Sequence, residues 1–200
     1  YDGMLRGARA VVVKSGVGKV NAALCAERLI SEFGVTHIVN TGIAGAAASS
    51  LGVFDVVVST DAMYHDVDAT LFGYKPCEIP QMDVYRFPAD ENLIRAAEKA
   101  FAKTDAAKKY TLLKGRVASG DQFIADGKVK RRIKALCDPA CIEMEGAAIA
   151  HTCYLNDVPF VIIRAMSDAA DDNGGKAIAF NEKAAAEESA AIVIEMMKLL

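Results

Sequence analysis

The sequence predicts a single-domain α/β fold in which a mostly parallel sheet is covered by helices on both faces. Three observations carry that prediction. Apolar, β-branched runs such as VFDVVVST and PFVIIRA alternate along the chain with stretches of helical spacing, the pattern of parallel strands joined by crossover helices. These runs are continuously apolar rather than alternating, as strands buried on both faces require. The 200 residues are 52% hydrophobic and 24% charged, which suits one domain with a sizeable core.

Taken in order, residues 1–5 and 8–14 with an Arg6-Gly7 turn read as a hairpin. Gly16 and Gly18 break the chain, and residues 17–33 (VGKVNAALCAERLISEF) have helical spacing, with Gly34 as the stop. Residues 37–41 (HIVNT) form a short strand that ends in a small-residue loop, 42–50. Residues 53–60 are a buried strand. The stretch 61–88 has three prolines and no period, and loops of that length are usually functional. Asp90 caps a helix over 90–102. Strands follow at 110–119, 140–143 and 159–165, and helices at 125–136 (basic, on the surface), 145–154 and 180–200. No internal repeat or linker is visible.

Composition excludes several classes. With 26 acidic and 23 basic residues and a net charge of −3, the chain lacks the basic stripe of a nucleic-acid binder. No apolar run approaches the ~20 residues that span a bilayer, and no secretion signal opens the chain, so a soluble, cytoplasmic protein is expected. The five cysteines include no C-x-x-C pair. Cys137 and Cys141 lack the second pair or histidine cluster of a zinc site, and Cys25 and Cys153 read as small core residues.

In an open α/β sheet, ligands bind beyond the carboxyl ends of the strands, which directs attention to residues 41–45, 119–124, 143–145 and 164–170. NTGIAG (40–45) offers glycines where backbone can approach a ligand closely. SGDQFI (119–124) ends in Phe123, a ring able to stack on a planar base. EMEG (143–146) sets two carboxylates and a thioether at a strand-to-helix junction, and RAMSDAA (164–170) ends a strand with Arg164, Ser167 and Asp168. Such a set suits a small polar molecule with a flat apolar part, as a nucleoside is. Each feature also has a plainer reading: Asp168 as a helix cap, Met144 as core filler, Glu145 as a complement to a helix dipole. SGVGK (15–19) lacks phosphate-loop spacing, and Val20 stands where Ser or Thr is needed. His65, Asp66 and Asp68 of HDVD could ligate a metal, but with no further partner a hydrogen-bonded turn is expected and no metal is assigned.

KSGVGKVNAA, NTGIAG, YHDVDATLFGY, SGDQFI, EMEGAAIA and VIIRAMSDAAD, in that order, together resemble the methylthioadenosine/S-adenosylhomocysteine nucleosidases of the purine nucleoside phosphorylase-like superfamily. The resemblance implies a three-layer α/β/α fold over residues 1–200, with a central twisted sheet that is mixed but mostly parallel. It implies hydrolysis of the N-glycosidic bond of 5′-methylthioadenosine and S-adenosylhomocysteine, without a cofactor, in a homodimer. Asp168 matches the general acid that protonates adenine at N7, and Ser167 accompanies it in the binding set. Glu145 matches the carboxylate on the ribose hydroxyls, and Met144 the side chain against sugar and base. Ile124 matches the backbone contact to the adenine edge, with Phe123 stacking, and Gly45 lines the site. Arg164 matches an arginine near the attacking water. Val17 and Phe180 match the thioalkyl pocket, and Phe72 and Tyr74 residues contributed by a neighbouring subunit. Two departures stand out. The water-activating glutamate of the family lies on a first strand and loop expected ahead of Tyr1, so residues 1–200 alone are expected to be poorly stable and inactive. Ile43 also stands where some members carry a hydroxyl.

Breaking an N-glycosidic bond builds positive charge on the ribose and negative charge on the departing base. A proton donor near N7 improves the leaving group, typically by ~10²–10⁴ in rate, and a carboxylate on the ribose hydroxyls strengthens its hold as the ring becomes cationic. Three rivals remain at this level. A phosphorylase would want converging arginines, and Arg164 is the only arginine in the four loop segments. A futalosine-type nucleosidase differs only in pocket shape. A non-catalytic nucleoside-binding module is compatible with the same fold.

Overall fold

The computed structural model describes residues 1–168 and 178–200, with side chains in the second segment from Glu182 onward. The chain opens on a hairpin of β1 (Asp2–Leu5) and β2 (Ala8–Val11). Arg6 and Gly7, at φ +53° and +99°, form the two-residue turn whose twist matches the strands. There follow α1 (Lys19–Ser31), β3 (Ile38–Ala46), β4 (Val56–Tyr64), β5 (Phe87–Pro88) and α2 (Glu91–Phe101). Then come β6 (Leu112–Ser119), α3 (Gly127–Cys137), β7 (Cys141–Glu143), α4 (Gly146–Leu155), β8 (Phe160–Asp168) and α5 (Ile178–Met196). The Asp90 carboxylate caps α2, accepting the N–H groups of Asn92 and Leu93 at 2.9 Å each.

The sheet is mixed, as expected, and it closes on itself. Strand β4 pairs in parallel with β6, β6 in parallel with β7, β7 antiparallel with β3, and β3 in parallel with β8. Strand β8 then returns to β4 through the antiparallel pairs Val56–Ala165, Val57–Arg164 and Val58–Ile163. One edge of β4 thus holds β8 along its first part and β5 at Asp61 and Ala62, with Ser59 Oγ accepting the Ile162 N–H at 2.9 Å beyond the last β4–β8 pair. The register shift between Ser59 and Ala62 in the β4–β6 ladder supplies the bend that such closure needs, and a closed sheet leaves fewer unpaired edges. Val56, Val57, Val58, Val117, Ile162 and Ile163 are fully buried.

Three differences from the sequence reading matter for the site. The small-residue segment expected as a loop continues β3 as far as Ala46, because β8 pairs with it from Ile38 to Gly45. Strand β4 starts at Val56 and runs on to Tyr64, absorbing the start of the supposed 61–88 loop. Helix α3 is not only a surface element, since the Lys130 side chain is 11% exposed and turned inward. No helix among the described residues is long and apolar enough to cross a membrane.

Candidate active site

Arg164 organises the carboxyl end of the sheet from beneath. It lies opposite Gly42 in the β3–β8 ladder, and a Cβ on Gly42 would run into Nη1, so this glycine makes room for the guanidinium. Nη2 donates to Asn40 Oδ1 at 2.6 Å and to Glu143 Oε2, and stands 3.9 Å from Glu145 Oε2. The side chain is 4% exposed, and its Nε has no hydrogen-bond partner among the described residues.

Glu143, the last residue of β7, is buried with it. Oε1 accepts from Ser119 Oγ, and Oε2 accepts the N–H of Gly146 at 2.8 Å and of Glu145 at 3.1 Å in addition to Arg164. Ser119 Oγ in turn accepts the Ala147 N–H at 2.7 Å. The first N–H groups of α4, which no intrahelical carbonyl can satisfy, therefore point at this carboxylate and hydroxyl, where the helix dipole favours negative charge. With Glu143 filling the capping role, Glu145 is released from it. Its Oε1 accepts the Gly18 N–H at 2.8 Å. Burial pushes the Glu145 carboxyl above the ordinary glutamate range; the Gly18 N–H opposes the shift, the Glu143 charge adds to it, and Arg164 opposes it.

Asp168 ends β8. The β3–β8 register slips between Ala44 and Gly45, so that Ala44 pairs with Met166 but Gly45 with Asp168. Such a bulge re-aims the residue that follows it. Ser167, the extra residue, is buried, with Oγ 3.4 Å from Ala44 O and 3.2 Å from Asp168 Oδ1. Lys130 Nζ lies 3.4 Å from Asp168 Oδ2. A Cβ on Gly45 would stand 3.2 Å from Asp168 Oδ1, so glycine keeps the carboxylate uncrowded. Gly45 also pairs with Ile142 of β7, which places the end of β3 between Asp168 and the segment leading to Glu145.

The other residues singled out in the sequence are placed unevenly. Val17 precedes the Gly18 that contacts Glu145, and is exposed. Ile124 packs on a cluster containing Met63, Ala118, Ile133 and Ile142, Phe123 is exposed, and Met144 is half-buried between the two glutamates. Phe72 is exposed and Tyr74 half-buried, and no hydrogen bond or ring contact among the described residues ties either to the rest of the site. Phe180 lies in α5, its side chain outside the described residues. In HDVD, Asp68 accepts from Thr70 N–H at 3.0 Å and Oγ1 at 2.6 Å, a hydrogen-bonded turn. Sequence reasoning gave no role to Glu143, Ser119, Gly18 or Lys130. The first three stand in motifs already quoted, whereas nothing in the spacing of a basic helix distinguishes Lys130 from its neighbours.

The phosphorylase superfamily model matches residues 1–198. The 5′-methylthioadenosine/S-adenosylhomocysteine nucleosidase of Treponema pallidum is 42% identical over 210 residues, covering 95% of this chain and 78% of its own length. A crystal structure of the enzyme of the same name from Neisseria meningitidis, in complex with methylthio-immucillin-A, superimposes with a TM-score of 0.92 at 40% identity, covering 100% of this chain and 85% of the other. Futalosine hydrolase of Helicobacter pylori also superimposes, with a TM-score of 0.91 at 28% identity over 100% of this chain and 83% of its own. On sequence and on fold, this chain belongs to the methylthioadenosine/S-adenosylhomocysteine nucleosidase family of the phosphorylase superfamily.

Proposed function

We propose that the protein hydrolyses the N-glycosidic bond of 5′-methylthioadenosine and S-adenosylhomocysteine, releasing adenine and the thioribose. The observation that carries this reading is the pair of carboxylates at the end of β3: Asp168, re-aimed by the bulge across Gly45, and Glu145, freed from helix capping by Glu143. Asp168 gives its proton to N7 as the bond to the sugar breaks. Glu145 accepts from the ribose hydroxyls and binds the ring more strongly as it becomes cationic. Ile124 and Phe123 receive the base, Met144 lies along sugar and base, and Val17 borders the thioalkyl group, a duty the family resemblance also implies for Phe180. Arg164, walled in by Asn40, Glu143 and Gly42, acts as a positioning residue for the two glutamates. The water-activating glutamate implied by the family resemblance is none of these carboxylates: the same resemblance matches Asp168 and Glu145 to other duties, and Glu143 is bonded to Arg164.

The same commitment of Arg164 favours water over phosphate as nucleophile, since a phosphate site wants guanidinium groups free to face the anion. Incubation of the full-length protein with methylthioadenosine is expected to yield adenine and free methylthioribose at the same rate with or without inorganic phosphate. Formation of methylthioribose-1-phosphate would identify a phosphorylase instead.

We further propose a homodimer in which Phe72 and Tyr74 reach the partner's pocket. Leu71 and Phe72 are 98% and 85% exposed, an apolar pair in the segment that follows β4. An L71S/F72S variant is expected to sediment as a monomer and to raise KM for methylthioadenosine by about tenfold, the effect of losing a buried aromatic anchor. A variant that stays dimeric with an unchanged KM would overturn the assignment.

A further inference from the structure

Three segments meet at one lysine on the rim of the site. Lys19 is the first residue of α1, Asp66 follows β4, and Asp121 follows β6. Lys19 Nζ lies 3.0 and 2.9 Å from the two oxygens of Asp66 and 3.1 Å from Asp121 Oδ2. The backbone closes the same triangle, with the Asp121 N–H donating to Asp66 Oδ2 at 2.9 Å and the Lys19 N–H to Asp121 Oδ1 at 3.4 Å. The ammonium also lies 5.3 Å from the centroid of the Tyr64 ring. Burial works against the charged amine, yet the two carboxylates outweigh it and hold the Lys19 pKa above its ordinary value. A half-buried cation locked between two acids far apart in sequence is a fastening point.

What it fastens is the donor to Glu145. Gly18, immediately before Lys19, adopts φ +92° and ψ 161°, a conformation essentially reserved for glycine. Its N–H is the one that reaches Glu145 Oε1 at 2.8 Å. Helix α1 has no side-chain cap, and its entry is held by two of its own first residues: Asn21 Nδ2 donates back to Val17 O at 2.6 Å on one side of Gly18, and the Lys19 bridge holds the other. A glycine left free on one side would sample many orientations, and the N–H would no longer point at the carboxylate.

We infer that Lys19 is a positioning residue for Glu145: by bridging Asp66 and Asp121 it aims the Gly18 N–H at the carboxylate that holds the ribose. This deepens the proposed nucleosidase reading and rests on it. The charged groups facing Glu145 are Glu143 from β7 and Arg164 from β8, and those facing Lys19 are Asp66 and Asp121, with Tyr64 and His65, whose pKa burial lowers, beside them. The Gly18 N–H holds the Glu145 carboxyl down against burial. Losing its aim makes the group harder to ionise, and the acid limb of kcat/KM, which reports free-enzyme ionisations, moves to higher pH.

The test is the pH profile of adenine release by full-length K19M, K19R and wild type. K19M is expected to lose about tenfold in kcat/KM, the effect of one hydrogen bond to a charged group, mostly in kcat, with its acid limb displaced upward. K19R, which keeps the cation, is expected to keep the limb near its wild-type position. In an E145Q background the K19M change is expected to have almost no further effect, since the group through which it acts is gone. An unmoved limb in folded K19M, or an equal loss in the E145Q background, overturns the inference. If K19M does not fold, D121N replaces it. Removing a negative charge would by itself move the limb down, whereas loosening the bridge moves it up, so an upward shift supports the role and any other result overturns it. Absence of adenine release by the wild type would refute the nucleosidase reading itself, a separate outcome from these.

Discussion

Asp168→Asn is expected to lower adenine release by about 10²–10⁴-fold, the usual worth of a positioned general acid, while nucleoside affinity stays within about tenfold of wild type. The asparagine keeps the size of the side chain and can keep the Ser167 contact, now 3.2 Å from Oδ1. It cannot deliver an acidic proton to a ring nitrogen. The ion pair with Lys130, at 3.4 Å with the lysine 11% and the aspartate 25% exposed, is lost as well, so the stability of the variant is measured by urea unfolding beside its activity. Adenine release measured beside calorimetric binding separates the two effects. Turnover near the wild-type rate would remove Asp168 from the acid role. Loss of binding together with turnover would instead make Asp168 a recognition residue and revive the non-catalytic module.

Arg164→Met is expected to destabilise the protein by about 3–5 kcal/mol, the range for removing one partner of a buried ion pair, and to abolish activity. The Glu143 carboxylate would be left buried with Ser119 and two N–H groups but no cation, and Asn40 would lose its donor. Because Glu143 holds the start of α4, its displacement carries Glu145 with it. Urea unfolding of R164M and of the double variant E143Q/R164M checks the cause: neutralising the stranded carboxylate is expected to recover a substantial part of the loss. If the double variant is no more stable than R164M, the ion pair is not what Arg164 contributes, and packing of the guanidinium against Gly42 takes its place.

Element order was readable because local signals agree with the tertiary outcome. Asp90 lies where a cap is needed and caps α2. VFDVVVST and PFVIIRA are apolar because both faces of β4 and β8 are buried. The segment after Thr41 misled for a physical reason. A run of Gly and Ala has low strand propensity by itself, and NTGIAGA is a strand only because β8 lies alongside and because Arg164 and Asp168 need the space its glycines leave. Closure of the sheet was equally out of reach, since the β4–β8 pairs join residues more than a hundred positions apart.

Within the candidate site, the motifs point to the ends of β3, β6, β7 and β8 but do not divide the duties among their carboxylates. EMEG presents two similar glutamates, and Glu145, next to the helix start, was the natural candidate for the dipole. The structure gives that duty to Glu143, whose oxygens collect the N–H groups of residues 145 and 146. The sequence alone determined the alternation of strands and helices, the Asp90 cap, and which segments carry polar residues, because those depend on residues close along the chain. Only the tertiary structure decided which carboxylate is paired with Arg164 and which takes the Gly18 N–H, that Lys130 turns inward, and that Lys19 joins two distant aspartates. Hydrogen bonds and ion pairs between remote segments leave no period in a sequence, because what selects them is distance in space.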